Sequence, residues 1–371
     1  MRKRSLIITV GIVSAAFGLT GCGVFQGEQT LKEMDTPPEE ASLTDNLDEV
    51  TEEEGQQAEE DSQETEGAEA GTDTEEAEPT TVERQLYLLD ANGMVVPQTL
   101  ELPQLESKEV AKQALEYLVK DGPVTELLPD GFEAVLPAGT TINSLNLKEG
   151  TLTVDVSEEF AEYQAEDEQK ILQSMTYTLT QFENVDKVKL QINGKAKEEM
   201  PVSGTPIGKG VSRANGINIY NGDNIDLMDS KAVTLYYPAQ QGEQVYHVPV
   251  TQHVEAEDAE DFASIVQALV DGPSLDLNLL NVFNAGTSLT AEPTIKDGVL
   301  TLDFNENILN SVENASIADE VMETLVLTLT DQPGVEAVDV NVADMEEIYN
   351  EAGTAYTEPV TKSMFVPTGN L

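Results

Sequence analysis

The sequence predicts an α+β protein: two tandem copies of a small domain, each a mixed sheet with two helices packed on one face, preceded by a disordered acidic tether. Three observations support this fold class. The strand and helix patterns of residues 84–202 recur in the same order in residues 231–371. Hairpin signals alternate with amphipathic helix patterns in both copies. The segment before them is rich in Asp and Glu and poor in apolar residues.

The N-terminus has the layout of a lipoprotein signal peptide, predicted over residues 1–21. A basic start is followed by an uncharged apolar stretch and then by Leu19-Thr20-Gly21-Cys22, which reads as a lipobox. A transmembrane anchor is the alternative, but the apolar stretch is shorter than the roughly 20 residues that a spanning helix needs. We therefore expect lipidation of Cys22, the only cysteine, and a lipid-anchored protein on the extracytoplasmic face of the cell membrane.

Residues 22–83 are predicted to be a disordered acidic linker. Asp and Glu recur throughout, Lys32 is the only cation, and the apolar surface is too small to offset the entropy of ordering. The simplest role is a tether; an acidic interaction tail is the alternative. The whole chain has 70 acidic and 19 basic residues and a formal charge of −51, which argues against a nucleic-acid partner.

The first copy, residues 84–202 (repeat 1), opens with a hairpin whose turn is marked by Asn92-Gly93. In a later strand Leu152, Val154 and Val156 alternate with polar residues, so one face is buried. The predicted strands are 84–90, 94–100, 141–147, 151–156 and 187–192, and the predicted helices are 108–121 and 167–182.

The second copy, residues 231–371 (repeat 2), matches these elements in order. Its predicted strands and helices include 233–237, 246–250, 261–271, 318–329 and 335–342. Both copies contain an Asp-Gly-Pro helix ending, a Lys-x-Gly-x-Leu-Thr-x-Asp hairpin and a Thr-Leu-Thr helix end. The tails 200–202 and 358–360 also match, and residues 203–230, rich in Gly, Asn and Ser, are predicted to be the inter-domain linker.

With these motifs the chain resembles the GerMN-domain family of sporulation and spore-germination lipoproteins, with two GerMN-like domains at 84–202 and 231–371. The segments 112–119 and 166–171 carry the most specific resemblance. The resemblance implies a membrane-anchored, non-enzymatic protein that contacts sporulation channel proteins of the intermembrane space. It would thereby support a transenvelope complex between mother cell and forespore. A peptidoglycan-binding or cell-wall-modifying protein acting on the spore cortex is the alternative, and a small-ligand sensor is a weaker one.

Candidate chemistry is sparse, and we predict no catalytic, cofactor or metal residues. His247 and His253 are the only histidines, and on an extended strand they would stand about 20 Å apart, too far for one metal ion. They are interpreted as surface or edge-strand imidazoles. Asp155 and Asp303 occupy equivalent strand positions, but no second carboxylate at a defined spacing suggests an acid–base pair. They are interpreted as exposed acids that cap or solvate turns.

Three other features have structural explanations. Gly122 and Gly272 in the Asp-Gly-Pro motifs are expected to close helices through a left-handed residue. Tyr87 and Tyr236 occupy equivalent strand positions and are interpreted as packing or interface residues. Residues 221–226 superficially resemble a calcium loop but lack its central Gly and distal Glu.

Overall fold

The computed structural model describes residues 80–105, 109–221, 230–255, 261–343 and 345–366. The predicted signal peptide, Cys22 and nearly all of the acidic linker lie outside the described residues, as do residues 222–226 of the calcium-loop-like segment. All of the described residues fall within one compact unit, which contains both repeats. No helix within the described residues has the length and apolar character needed to cross a membrane.

Repeat 1 consists of a hairpin, a four-stranded mixed sheet and two α-helices. Strands β1 and β2 pair with each other, and the sheet has the order β3-β4-β5-β6 with β4 and β5 parallel. The elements are β1 (Thr81–Leu89), β2 (Val95–Pro103), α1 (Val110–Glu116), β3 (Ile142–Lys148), β4 (Thr151–Val156), α2 (Glu168–Leu179), β5 (Lys187–Ile192) and β6 (Lys195–Ala196).

Repeat 2 has the same plan with one added hairpin. Its sheet has the order β14-β13-β10-β9, again with a parallel central pair, β10 and β13, while β11 and β12 form the addition. The elements are β7 (Ser230–Gln241), β8 (Gln244–Glu255), α3 (Phe262–Asp271), β9 (Thr294–Lys296), β10 (Val299–Phe304), β11 (Leu309–Ser311), β12 (Ser316–Ile317), α4 (Asp319–Leu329), β13 (Ala337–Val342) and β14 (Val360–Thr361). The predicted α+β class with duplicated mixed sheets is confirmed.

Strand alternation places one face of each sheet in the core. The apolar residues of β4 and β10 are buried at every second position, and the residues between them are partly exposed. The turn between β3 and β4 is formed by Glu149 and Gly150, both with positive φ, as a two-residue hairpin of this twist requires. A side chain on Gly150 would also collide with the carboxylate of Asp186.

The helix predicted over 108–121 is shorter than expected. It ends at Glu116 because the following residues leave the helix to bond to the chain at Leu136: Val119 forms a parallel bridge with it, and the amide of Lys120 donates to its carbonyl. Val119 is buried through that bridge rather than on a helical face.

The two Asp-Gly-Pro motifs are not conformationally equivalent. In repeat 2 the expectation holds: α3 ends at Asp271 and Gly272 has a φ of +84°. In repeat 1 the positive φ belongs to Asp121, and Gly122 is extended. Glycine is needed at 122 for a different reason, since a Cβ there would lie 2.8 Å from the carbonyl oxygen of Val119.

The described part of the predicted linker, residues 203–221, packs against both repeats. Val211 bridges to Val188 of β5. The side-chain amide of Asn218 forms hydrogen bonds to both repeats. Its Oδ1 accepts from the amide of Val95 in β2, and its Nδ2 donates to the carbonyls of Val95 and of Pro249 in β8. One side chain therefore ties the hairpins of the two repeats together.

Candidate functional site

Two equivalent tyrosines are buried in the first strands of the two repeats. Tyr87 in β1 and Tyr236 in β7 are both 1% exposed. The amide of Tyr87 donates to the hydroxyl of Thr178 and that of Tyr236 to Thr328, each at 3.0 Å. The first threonine of each Thr-Leu-Thr motif thus holds the opening strand against the second helix of its own repeat. This placement fits the interpretation of the tyrosines as packing residues.

Two cations, missed by the sequence reasoning, lie over these rings. Arg213 is 4.7 Å from the ring centre of Tyr177 and 5.9 Å from that of Tyr87, while Lys362 is 5.9 Å from that of Tyr236. Both cations follow the last edge segment of their repeat and begin a short 3-10 helix. They are therefore equivalent positions of the duplication.

The sequence signal that relates the cations is the match of 211–215 to 360–364. Val211 bridges to Val188 in repeat 1, and Val360 pairs with Val338 at the corresponding place in repeat 2. The tail match of 200–202 to 358–360 is therefore wrong. That match was based on a Pro-Val dipeptide present in both tails. The structure instead aligns Val211 with Val360, because each pairs with the equivalent valine of the last parallel strand of its sheet.

Both cations converge on one carboxylate. Asp331, just after α4, lies 3.2 Å from Arg213 Nη1 and 3.9 Å from Lys362 Nζ. Burial alone lowers the pKa of Arg213, but Tyr87 and Asp331 raise it above its usual value, so the guanidinium keeps its charge. Since Arg213 belongs to the predicted linker and Asp331 to repeat 2, this cluster joins segments far apart in the chain.

Tyr236 differs from its neighbours Arg213, Lys362 and Asp331 in being uncharged. Burial and the nearby Asp331 raise the pKa of its hydroxyl well above the usual value, so it is neutral at physiological pH. Within the described residues that hydroxyl has no hydrogen-bond partner.

The prediction of a surface or edge-strand imidazole holds for His247 only in its second form: β8 is one of the two strands of the β7–β8 sheet, but the imidazole is not on the surface. It lies in β8, is 5% exposed, and is held from both ring nitrogens by α4. Nδ1 is 3.3 Å from Oε1 of Glu323, and Nε2 is 3.0 Å from the hydroxyl of Thr324. The β8 strand is longer than predicted, and its face that carries His247 packs against α4. His253 lies near the end of β8, half-buried, with Nδ1 3.0 Å from the Ser230 hydroxyl.

The strand aspartates have structural partners. Oδ1 of Asp155 accepts a 2.8 Å bond from the amide of Gly194, which fits the predicted turn-capping role. Oδ1 of Asp303 accepts from the side-chain amide of Asn341 at 3.2 Å. Across the described residues no group of three or more His, Cys, Asp or Glu side chains is arranged to hold a metal ion.

A polar cavity of about 230 Å³ lies between the two hairpins. Its wall includes Tyr87, Tyr236, His247, Glu323 and Lys362. His247 and Glu323 are paired with each other, and Lys362 is paired with Asp331 outside the lining. The charged groups of the wall are therefore engaged with internal partners.

A buried carboxylate, also missed from the sequence, fastens the chain after β6. Glu168, 1% exposed, accepts five hydrogen bonds from four residues. The donors are the hydroxyl of Tyr163, the amides of Val202, Ser203 and Thr205, and the hydroxyl of Thr205, at 2.6–3.1 Å. Burial alone raises the pKa of Glu168, but these donors lower it to about 2. The first turn of α2 thereby fixes the start of the predicted linker.

Comparison with known proteins agrees with this architecture. Residues 85–198 and 234–346 each match the Germane family, described as "Sporulation and spore germination". The spore germination protein GerM of Bacillus subtilis (strain 168) is 43% identical over 379 residues, covering 100% of both chains. The structure of the tandem GerMN domains of GerM from Bacillus subtilis superposes with a TM-score of 0.70 at 48% identity, covering 76% of this chain and 98% of that one.

Proposed function

The chain belongs to the Germane family of sporulation and spore-germination proteins, and from that premise we propose that it is a lipid-anchored assembly component. It supports the transenvelope complex between mother cell and forespore through contacts with channel proteins of the intermembrane space. It works by binding other proteins and catalyses no reaction. Lipidated Cys22 attaches it to the extracytoplasmic face of the membrane, and residues 22–83 act as the tether.

The main observation in favour of the proposal is that the charged groups between the repeats pair with one another. Arg213 and Lys362 both pair with Asp331, and His247 pairs with Glu323. Charged groups in this arrangement stabilise a fixed relation between two halves of a scaffold. A general acid or base must instead be within reach of a substrate proton. This supports a rigid binding platform.

The anchor is tested by Cys22→Ala in the full chain, in sporulating cells. We expect the variant to leave the membrane fraction and to lose its position at the forespore, because one thiol supplies the whole attachment. Membrane fractionation and fluorescence imaging measure this. Unchanged membrane recovery would overturn the proposed anchor.

The assembly role is tested by removing channel components one at a time. The protein should lose its position when its partner is absent, and channel assembly should fail when the protein is absent. If each localises normally without the other, the assembly role is lost. Incubating the purified full chain with spore-cortex peptidoglycan addresses the wall-binding alternative, which requires co-sedimentation or release of soluble fragments.

A further inference from the structure

Repeat 1 presents exposed lysines on the outer face of its sheet. Pairing places Lys148 of β3 opposite Thr151 of β4, which in turn lies opposite Lys187 of β5. Lys189 lies two residues further along β5, on the same side, because alternate residues of a strand share a face. The buried residues of β5 lie between these lysines and face the core.

A fourth cation, Lys209, is brought to this face by the chain that follows β6. A Cβ on Gly210 would lie 3.4 Å from Cβ of Lys187 and 3.5 Å from Cγ of Lys189, so the backbone directly after Lys209 lies against these two lysines. We call Lys148, Lys187, Lys189 and Lys209 the lysine face. All four are exposed, and within the described residues none forms an ion pair with an acidic side chain.

The duplication shows that the fold does not require the charges of Lys187 and Lys189, whereas Lys148 has a lysine counterpart, Lys296, in repeat 2. In repeat 2 the parallel pair β10 and β13 places Val299 opposite Ala337 and Thr301 opposite Asp339. Ala337 and Asp339 therefore stand where Lys187 and Lys189 stand in repeat 1. The same mixed sheet forms with a methyl group and a carboxylate at these positions. Unpaired like charges on one strand face bring no stability, which favours a role in binding.

A free strand edge lies beside the lysine face. β3 ends the sheet order, and its outward backbone groups at Leu145 and Leu147 have no hydrogen-bond partner within the described residues. Leu147 is 41% exposed. Such an edge can accept an extended segment as an added strand.

We infer that the lysine face, with the free edge of β3, is the docking surface for an extended acidic segment of a partner protein. The inference rests on the proposed assembly function and assigns it a surface. Carboxylates on alternate residues of a strand added beside β3 would lie on the face of the sheet that carries Lys148. Lys187 and Lys189 lie on the same face and would attract these carboxylates electrostatically. The attraction is local, because salt screens charges beyond about 8 Å at physiological ionic strength.

Two other occupants fit the surface less well. An anionic lipid leaflet or wall polymer is negatively charged over an area wider than the four lysines. The net charge of −51 of the whole chain would therefore oppose its binding. The outward residues of β3, β4 and β5 include no aromatic ring, so the face lacks the stacking surface that sugar binding favours. A short acidic protein segment beside Lys148 meets the local lysines, because the outward acid of β4, Asp155, lies at the other end of that strand.

The test is site-specific photocrosslinking of the full chain in sporulating cells. The probe is Asn146→p-benzoylphenylalanine, an exposed position on β3, and the matched probe in repeat 2 is Thr294→p-benzoylphenylalanine on β9. We expect an adduct from position 146 to a second protein, with a crosslinked peptide rich in Asp and Glu; a crosslink to the acidic residues 22–83 of this chain itself would overturn the partner segment. Lys187→Ala with Lys189→Asp, which copies repeat 2, should reduce its yield about fivefold or more.

Two further measurements separate charge from folding. Lys187→Arg with Lys189→Arg keeps both charges and should retain the adduct, and thermal denaturation should show all variants folded. The crosslinked peptide, made synthetically, should bind the purified full chain more weakly at 300 mM than at 50 mM NaCl. An adduct insensitive to the Ala/Asp change, a crosslinked peptide without acidic residues, or an adduct to lipid or wall material would overturn the lysine face.

The outcomes also separate this inference from the function on which it rests. Protein adducts from position 294 alone would refute the lysine face and leave the assembly role standing. No protein adduct from either position, together with normal channel assembly in cells lacking the protein, would remove both.

Discussion

The most direct test of the architecture is Glu168→Gln. The substitution keeps the shape of the side chain, but it removes the negative charge that accepts five hydrogen bonds from Tyr163 and from the chain at 202–205. An amide must also turn one NH₂ group toward donors, so at least one buried donor loses its acceptor. We therefore expect the loop after β6 to loosen from the first turn of α2.

The pKa of Glu168 gives the size of its contribution to the free energy of unfolding and the direction in which that contribution changes with pH. Its folded value is about 2, against a usual value of 4.5. The difference corresponds to about 3 kcal/mol of unfolding free energy for this buried group. Because the folded pKa is depressed, the contribution is fully present above pH 4.5 and declines as the pH falls toward 2. At pH 3 about 1 kcal/mol remains.

The assay is denaturant and thermal unfolding of wild type and variant at pH 7 and pH 3. At pH 7 the variant should be about 3 kcal/mol less stable, a lowering of Tm by about 6 °C. At pH 3 the difference should shrink to about 1 kcal/mol. Glu166→Gln, an exposed neighbour, is the matched control and should stay near wild type. Equal stabilities at pH 7, or a gap that does not change with pH, would refute the reasoning.

Three further substitutions test the junction between the repeats, each by denaturant unfolding. Tyr236→Phe removes a buried hydroxyl that lacks a partner and should be neutral or stabilise by up to about 1 kcal/mol; a clear loss would reveal a partner. Asp331→Asn leaves Arg213 and Lys362 without their shared carboxylate and should cost about 2 kcal/mol or more, while an unchanged midpoint would mean that the cluster adds nothing. Asn218→Ala removes bonds to both hairpins and should cost about 2 kcal/mol; a smaller effect than at an exposed Asn would contradict its bridging role.

Local patterns in the sequence were sufficient for most elements. The alternation in 151–156 identified β4 because a half-buried strand repeats every two residues. The Lys-x-Gly hairpins were identifiable because the turn needs positive φ at two successive residues. The duplication itself followed from the recurrence of these signals in order, and the two matched family segments confirm it.

Local patterns failed where a distant segment competed for the same residues. The helix predicted to reach 121 ends at Glu116 because the chain pairs with Leu136 instead. His247 was assigned to the surface or to a strand edge because a strand pattern states which residues share a face but not what packs on it. The helix that covers His247 belongs to residues 319–329, far along the chain.

Two sibling α+β repeats, the apolar faces of their strands and the strongly acidic character of the chain could all be read from the residues alone. Only the tertiary structure decided that Arg213 and Lys362 converge on Asp331, and that Glu168 fastens the chain at 202–205. The physical reason is range. Periodicity and turn chemistry act over a few residues, whereas these contacts join residues that are tens of positions apart, or 118 for Arg213 and Asp331, and depend on how the folded segments pack.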